Sequence, residues 1–518
     1  MARSRNETVA PRPSRGSPPL LVALVVIAGA VLMSLEMLGS RMLAPYFGSS
    51  VFVWGSLIGV FLASLSLGYW AGGYLADRRP SFRLLSGLAL AAAALIVLSW
   101  PLTRPVCQAL VGAGLGDRAG PLLAALAIFF VPSVLIGIVS PFAIRLSAKS
   151  LGDLGIQAGR LSALSTFGSI LGTFGTTFVL IPALPVRVIL LILGLALAVV
   201  PVFALATSRR GVAAVAGGGA ALAAMVYLAS SAHGATLNPG ETLVYEGSSA
   251  YHQVAVVESE GRRYMKFDQY YESGIELTPP YRSAFPYTDL FHVGPLLSPE
   301  PKRALFLGAG GGIGPRAFAE AYPSLERIDV VDVDPLVLDL AKRYFYLEES
   351  ERIRLHADDA RMFLRTVAEP FDLVVLDVFT IGGRIPPHLA TREFFLEVAA
   401  RMAPGAALVM NLNSAVRGPK SEIYAALAGT VAAAFGDVAA FPLYFPAEDP
   451  ASFRFSALSR NILLAAVKGG LPPAATLRER GRASPRREAR GASTLLAPSV
   501  PRGQVLTDEH APIETMEF

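Results

Sequence analysis

The chain has 518 residues, 53% hydrophobic and only 16% charged, which is too long for one domain and too apolar for a wholly soluble one. Its net charge of +5 is small, and its arginines fall in loops and in one late run, which fits membrane-flanking segments rather than a nucleic-acid surface. A single cysteine, Cys107, excludes an intramolecular disulfide and, by itself, any cysteine-built metal site, so no metal is expected.

Almost all of the apolarity lies before residue 232. Residues 1–19 form a basic leader with Arg3, Arg5, Arg12 and Arg15. Apolar stretches long enough to span hydrocarbon then begin at Leu20 and near Val51, Leu84, Pro121, Leu161, Pro185 and Gly211. Residues 20–231 thus read as a membrane domain of about seven helices, the Ala- and Gly-rich stretch Gly211 to Ser231 being the weakest. Basic residues cluster before the first span, at Arg78, Arg79 and Arg83, at Arg145, Lys149 and Arg160, and at Arg209 and Arg210, so every second connection is basic and the N-terminus is cytoplasmic. Seven crossings would put the second half outside, away from a cytoplasmic nucleoside. A seventh stretch that does not cross would return it to the cytoplasm. Glu36 and Arg41 lie within the first span and fit either an internal ion pair or a translocation path. The small-residue runs Gly68 to Gly73 and Gly168 to Gly175 allow helices to approach closely.

From Glu241 the pattern alternates, with Tyr251, Gln253, Ala255 and Val257 before a turn at Gly261 and Tyr264, Lys266 and Asp268 after it. Residues 241–277 therefore read as a small antiparallel β unit. A helix follows from about Pro286 to Leu297, carrying Tyr287, Asp289 and His292. Residues 278–470 then read as an α/β doubly wound, nucleoside-binding domain. Its first strand, Ala304 to Leu307, stops in Gly308-Ala309-Gly310-Gly311-Gly312-Ile313-Gly314, and a helix, Pro315 to Tyr322, begins just behind. The second, Ile328 to Val331, ends at Asp332, where such folds place a ribose-hydroxyl acceptor. The third, Arg352 to His356, is followed by Asp358 and Asp359, and the fourth, Phe371 to Leu376, by Asp377. The strand Ala406 to Met410 ends in Asn411-Leu412-Asn413, and Asn461 to Ala466 is a late strand near an antiparallel edge. Residues 471–518 form an Arg/Pro-rich segment and tail, with the run Arg478 to Arg490 expected to be solvated or lipid-facing.

These residues resemble the spermidine synthase (polyamine aminopropyltransferase) family, and more closely its bacterial membrane-fused branch. The resemblance rests on Arg41 to Ser50, Ser66 to Arg78, Gly168 to Gly172, the glycine loop, Val331 to Pro335, Asp358-Asp359-Ala360, Phe371 to Asp377, Leu389 to Phe395 and Leu506-Thr507-Asp508 with Ala511-Pro512. It implies a multi-span protein of the bacterial inner membrane. It also implies a small N-terminal β unit before an S-adenosylmethionine-methyltransferase-like sheet. Decarboxylated S-adenosylmethionine, or S-adenosylmethionine, would be a co-substrate, with no bound prosthetic group. The acceptor would be an amine such as putrescine, and a homo-oligomer is implied by the soluble members. On this analogy Gly308, Gly310, Gly311 and Gly312 face the nucleoside, Asp332 holds the ribose, Asp358 and Asp359 lie by the adenine, and Asp377 takes the proton. Tyr251, Gln253, Tyr287, Asp289 and Thr380 are the substrate-binding candidates.

The chemistry asks for such groups. An alkylamine has a pKa near 10.4 and is mostly protonated at neutral pH, so a carboxylate within hydrogen-bond reach must orient it and accept its proton. Bringing a cationic amine to a cationic sulfonium is repulsive in a dry site, and surrounding acids offset that. The chain departs from the family at Thr380, where soluble members carry an acid for the diamine, and at Gly311-Gly312-Ile313, Tyr251-His252-Gln253 and Tyr287-Thr288-Asp289. Glu272 and Asp289 are the candidates to supply the lost charge. Two other readings stay open: a methyltransferase, with Arg316 to hold a methionine carboxylate, and a transporter or sensor that binds a nucleoside or polyamine without turnover.

Overall fold

The computed structural model describes residues 18–47, 50–148, 154–206, 237–249, 251–379, 384–443, 457–497, 499–513 and 516, and the chain divides into two compact units, 1–234 and 235–518. Thr380 and the expected span Gly211 to Ser231 lie outside the described residues.

In the first unit, six helices among the described residues are long and apolar enough to cross a membrane: α1 (Pro19–Phe47), α2 (Val51–Arg78), α3 (Phe82–Gly112), α4 (Arg118–Ser147), α5 (Leu154–Ala183) and α6 (Val186–Leu205). Glycine sets how closely they pack. A Cβ at Gly168 or Gly172 would lie 2.1 Å from the carbonyl oxygen of Val26 or Ala30, so α5 and α1 meet backbone to backbone. Ser34 and Thr176 fill the same seam, the Thr176 hydroxyl donating to Ser34 Oγ at 2.8 Å and Ser34 donating to the Gly172 carbonyl at 3.2 Å. Gly68 does the same for α2 against Val134 of α4, at 2.6 Å. Leu62, Trp70, Phe178 and Phe203 are left exposed on the outside.

The second unit holds two sheets. The smaller is antiparallel, in the order β1 (Thr242–Ser248), β2 (Gln253–Ser259), β3 (Arg262–Phe267) and β4 (Tyr270–Glu276). The larger is built from β5 (Arg303–Leu307), β6 (Arg327–Asp332), β7 (Ile353–Ala357), β8 (Phe371–Leu376), β9 (Met402–Ser414), β10 (Ala439–Pro442) and β11 (Arg460–Val467), in the order β10-β11-β9-β8-β5-β6-β7. The strands β9, β8, β5, β6 and β7 are mutually parallel, β11 runs antiparallel to β9, and β10 runs antiparallel to β11. The central strands are apolar on both faces because helices cover both. Leu305, Leu307, Val374 and Leu376 face one core with Phe394 and Leu427, while Phe306, Val330, Leu373 and Val375 face the other with Phe291 and Phe318. The small sheet buries Val254, Val256, Met265 and Phe267 against Ile313 of α7 (Ile313–Ala321) and Val337 and Leu340 of α8 (Pro335–Tyr344), which brings β4 to the glycine loop.

Three local expectations need correction. The segment Pro286–Val293 is 3₁₀ rather than α, with one α turn, Gly294–Leu297, behind it; Pro295 there offers no amide hydrogen to the preceding turn. Strand β9 continues past Met410 to Ser414, because β11 pairs with it as far as Arg460 opposite Ser414. The arginine-rich run is not simply solvated or lipid-facing. It forms two helices, Ala474–Ala483 and Arg487–Ser493, that bury Leu477, Ala489 and Ala492 in the core around Phe291. Arg480 donates to the Leu296 carbonyl at 3.0 Å, and Arg486 to that of Ala321.

Candidate active site

The sheet reverses its winding between β5 and β8, and the ends of these two strands lie side by side. The Asp377 amide donates to the Leu307 carbonyl at 2.9 Å. Gly308 has φ +94°, and a Cβ there would lie 2.1 Å from the Asp377 carbonyl oxygen, so only glycine lets the loop leave β5 at this point. Ligands of open α/β sheets bind in the crevice at such a switch point.

Two groups hold Asp377 by hydrogen bonds. The Asn411 amide donates to its Oδ1 at 2.8 Å and the Tyr287 hydroxyl to its Oδ2 at 3.2 Å. The Asn461 side-chain amide of β11 donates to Asn411 Oδ1 at 3.2 Å, which fixes the direction of the Asn411 side-chain amide. Burial pushes the Asp377 carboxyl up to about 6, against the pull of the Asn411 and Tyr287 hydrogen bonds. Burial first, and then the charges of Asp377 and Glu272, hold the Tyr287 phenol well above its usual range, so it stays a donor. Glu272 lies on β4. Burial, then Asp377, then Asp268 push its carboxyl up to about 8.

The glycine loop is held by two side chains. Asp332 accepts the amide hydrogens of Ala309 and Asp334, each at 3.0 Å, and burial raises it to about 6 in spite of them. Its oxygens keep lone pairs for a ribose hydroxyl. Ser273 of β4 accepts the Gly311 amide hydrogen at 2.9 Å, and neither it nor Asn411 was singled out as a site residue from the sequence. Gly310 and Gly312 have positive φ (+48° and +67°), as the tight turn requires.

The other candidates lie farther along the same edge or away from it. Asp358 accepts the Asp359 amide at 2.8 Å. Asp359 caps the helix Ala360–Thr366 and meets His388 Nε2 at 2.9 Å; burial would raise its carboxyl, but His388 and the Met362 and Arg361 amides hold it below its usual value. Tyr251 is exposed before β2, where its amide and that of His252 donate to Ser249, whose hydroxyl reaches Asp334. Gln253 begins β2 opposite Ser248. Asp289 is exposed, and its charged neighbours are Glu488, Arg282 and Arg487. No hydrogen bond or ion pair among the described residues ties Tyr251, Gln253 or Asp289 to Asp377. Nor, among them, do three His, Cys, Asp or Glu side chains gather as metal ligands would.

A carboxylate with two neutral donors beside a glycine loop can accept a proton next to a bound nucleoside. The chain is also similar to known proteins. Residues 285–431 match the family described as Spermine/spermidine synthase domain. A polyamine aminopropyltransferase of Vibrio vulnificus is 34% identical over 204 residues, 38% of this chain and 66% of that protein. Putrescine N-methyltransferase 2 of Nicotiana attenuata is 32% identical over 34% of this chain and 47% of its own. A probable spermidine synthase of Corynebacterium glutamicum is similar in structure, with a TM-score of 0.39 and 18% identity over 52% of this chain and 97% of that one. The Vibrio relative is an aminopropyltransferase, hence a transferase, and the matched segment holds the glycine loop, Asp332 and Asp377. Through its second unit, the chain belongs to the spermidine synthase family.

Proposed function

We propose that the protein is a membrane-anchored aminopropyltransferase that moves the aminopropyl group of decarboxylated S-adenosylmethionine to an amine such as putrescine. The observation that carries this is Asp377, held by Asn411 and Tyr287 at the switch point, backbone to backbone with Gly308. The amine nitrogen attacks the methylene beside the sulfonium, the carbon–sulfur bond breaks, methylthioadenosine leaves neutral, and the amine's proton passes to Asp377. Tyr287 and Asn411 fix both carboxylate oxygens, so the base is oriented before the amine arrives. Asp332, with the loop amides, takes the ribose, and Asp359 the adenine side.

Arg316, the residue considered for a methionine carboxylate, is turned to the Tyr281 carbonyl and to Glu320 at 3.8 Å. That favours the decarboxylated donor. The six apolar helices among the described residues supply the anchor, and a second unit on the cytoplasmic side, where the donor is made, fits the basic connections before the first span and at Arg78, Arg79 and Arg83. The test is transfer by detergent-purified protein from each of the two donors to putrescine. Release of methylthioadenosine from the decarboxylated donor supports the reading, and methyl transfer from S-adenosylmethionine overturns it.

A further inference from the structure

The glycine seams of the first unit repeat in register. On one seam Val26, Gly29 and Ala30 of α1 meet Gly168, Ser165 and Gly172 of α5; on the other Val134, Gly137 and Ile138 of α4 meet Gly68, Leu65 and Gly72 of α2. A constant shift of 108 residues carries the three positions of α1 onto those of α4, and a constant shift of 100 carries the three of α2 onto those of α5, with every pairing kept. The third helix of each set, α3 and α6, pack on one another, Gly194 of α6 lying against Val97 of α3. Helices α1 to α3 thus correspond to α4 to α6. Three crossings separate the two sets, so they run through a bilayer in opposite directions, as an inverted repeat. A plain anchor needs no such symmetry. Folds built this way move solutes by rocking one repeat against the other around a site near the midplane.

Glu36 stands at that level. It lies three residues past the centre of α1, about 5 Å along the helix axis. One turn on, Gly39 packs against Leu57 of α2 and Phe129 of α4, where the first repeat meets the second. In sequence the six helices hold two acids, Glu36 and Asp77. Asp77, at the end of α2, is paired with Arg145 near the end of α4 at 2.8 Å, which ties the two repeats together at one face. Glu36 is part-buried, and among the described residues no hydrogen bond or ion pair reaches it. A carboxylate held in hydrocarbon is costly without a cation, and acids so placed mark ion paths.

We propose that the first unit is a cation carrier as well as an anchor, with Glu36 the midplane site for an alkylammonium ion of the kind the second unit consumes or releases. This rests on the bilayer anchor proposed above and, for the choice of ion, on the aminopropyltransferase reading. The Asp77–Arg145 pair closes one face, and its release opens that face as the repeats rock.

The test is uptake of labelled putrescine and of labelled spermidine into proteoliposomes that hold the full-length protein, its Glu36→Gln or Glu36→Asp variant, or no protein. Native vesicles should take up at least one of the two amines faster than empty ones. Glu36→Gln should lower that uptake by about 10- to 100-fold, the worth of one charge-assisted hydrogen bond, and Glu36→Asp, which keeps the charge, should recover part of it. Flotation with the vesicles and an unchanged unfolding midpoint show that the variants are inserted and folded. As a measurement that needs no variant, carbodiimide labelling of Glu36 in the native protein should slow in the presence of the amine; unchanged labelling overturns the site. Native vesicles no faster than empty ones, equal uptake by inserted Glu36→Gln, or movement of protons but of neither amine also overturns the proposal. Aminopropyl transfer by the same preparations in detergent reads the enzyme separately: transfer without uptake overturns the carrier and leaves the enzyme, and Glu36-dependent uptake without transfer does the reverse.

Discussion

Replacing Asn411 by leucine tests how the site tunes its base. The Asn411 amide donates at 2.8 Å to the form of Asp377 that accepts the proton, so its loss favours the protonated form. A hydrogen bond to a charged group is worth about 1.5 to 3 kcal/mol, which is about 1 to 2 pKa units. The carboxyl, at about 6 in the native protein, should move to about 7 to 8 in Asn411→Leu. The base works only when ionised, so kcat/KM falls as pH drops through that value, and the acidic limb of the profile should shift upward with it. At pH 7 the ionised fraction drops about 2- to 10-fold, and at pH 9 it recovers. The assay is kcat/KM against pH for the native and variant enzymes with the same amine, so that the titration of the substrate cancels. A loss that is the same at every pH, or a limb that stays near its native position, would refute the tuning role.

Three further outcomes follow from the same geometry. Asp332→Ala should weaken methylthioadenosine binding by about 10- to 100-fold in a calorimetric titration, since it removes the ribose acceptor and loosens the loop; unchanged affinity contradicts the ribose role. Gly308→Ala should lower the free energy of unfolding by about 1 to 3 kcal/mol, read by denaturant unfolding, because the new Cβ meets the Asp377 carbonyl and φ there is +94°. Lys266→Met should cost about 1 to 3 kcal/mol, measured by denaturant unfolding, because Glu241 then keeps only its hydrogen bonds from Asn238 and Tyr271, and changing Glu241 as well should restore part of it.

The sheet was legible because strands buried on both faces read as plain apolar runs; Phe371 to Leu376 has the boundaries expected. Strands β1, β4 and β10 were not. The first mixes Glu246 and Gly247 into a half-exposed strand, the second loses its alternation at Glu272, and the last has four residues and ends in proline. Asp332 and Asp377 stood out as acids closing apolar runs. Asn411 hid because it looked like a strand's end, when Asn461 continues the pairing on its far side. Ser273 and Glu272 come from a different sheet, and the packing of Val256 and Met265 on α7 and α8 that brings them to the loop is tertiary. Gly68, Gly168 and Gly172 were readable as contact points, since only a missing side chain permits that approach.

The most direct measurement of the central claim is product analysis with putrescine and both donors, for the native enzyme and Asp377→Asn. Methylthioadenosine and spermidine from the decarboxylated donor, with a loss of about 10²- to 10⁴-fold in Asp377→Asn and nucleoside binding retained, are the results predicted. Methylated putrescine from S-adenosylmethionine, or transfer that survives Asp377→Asn, would contradict it.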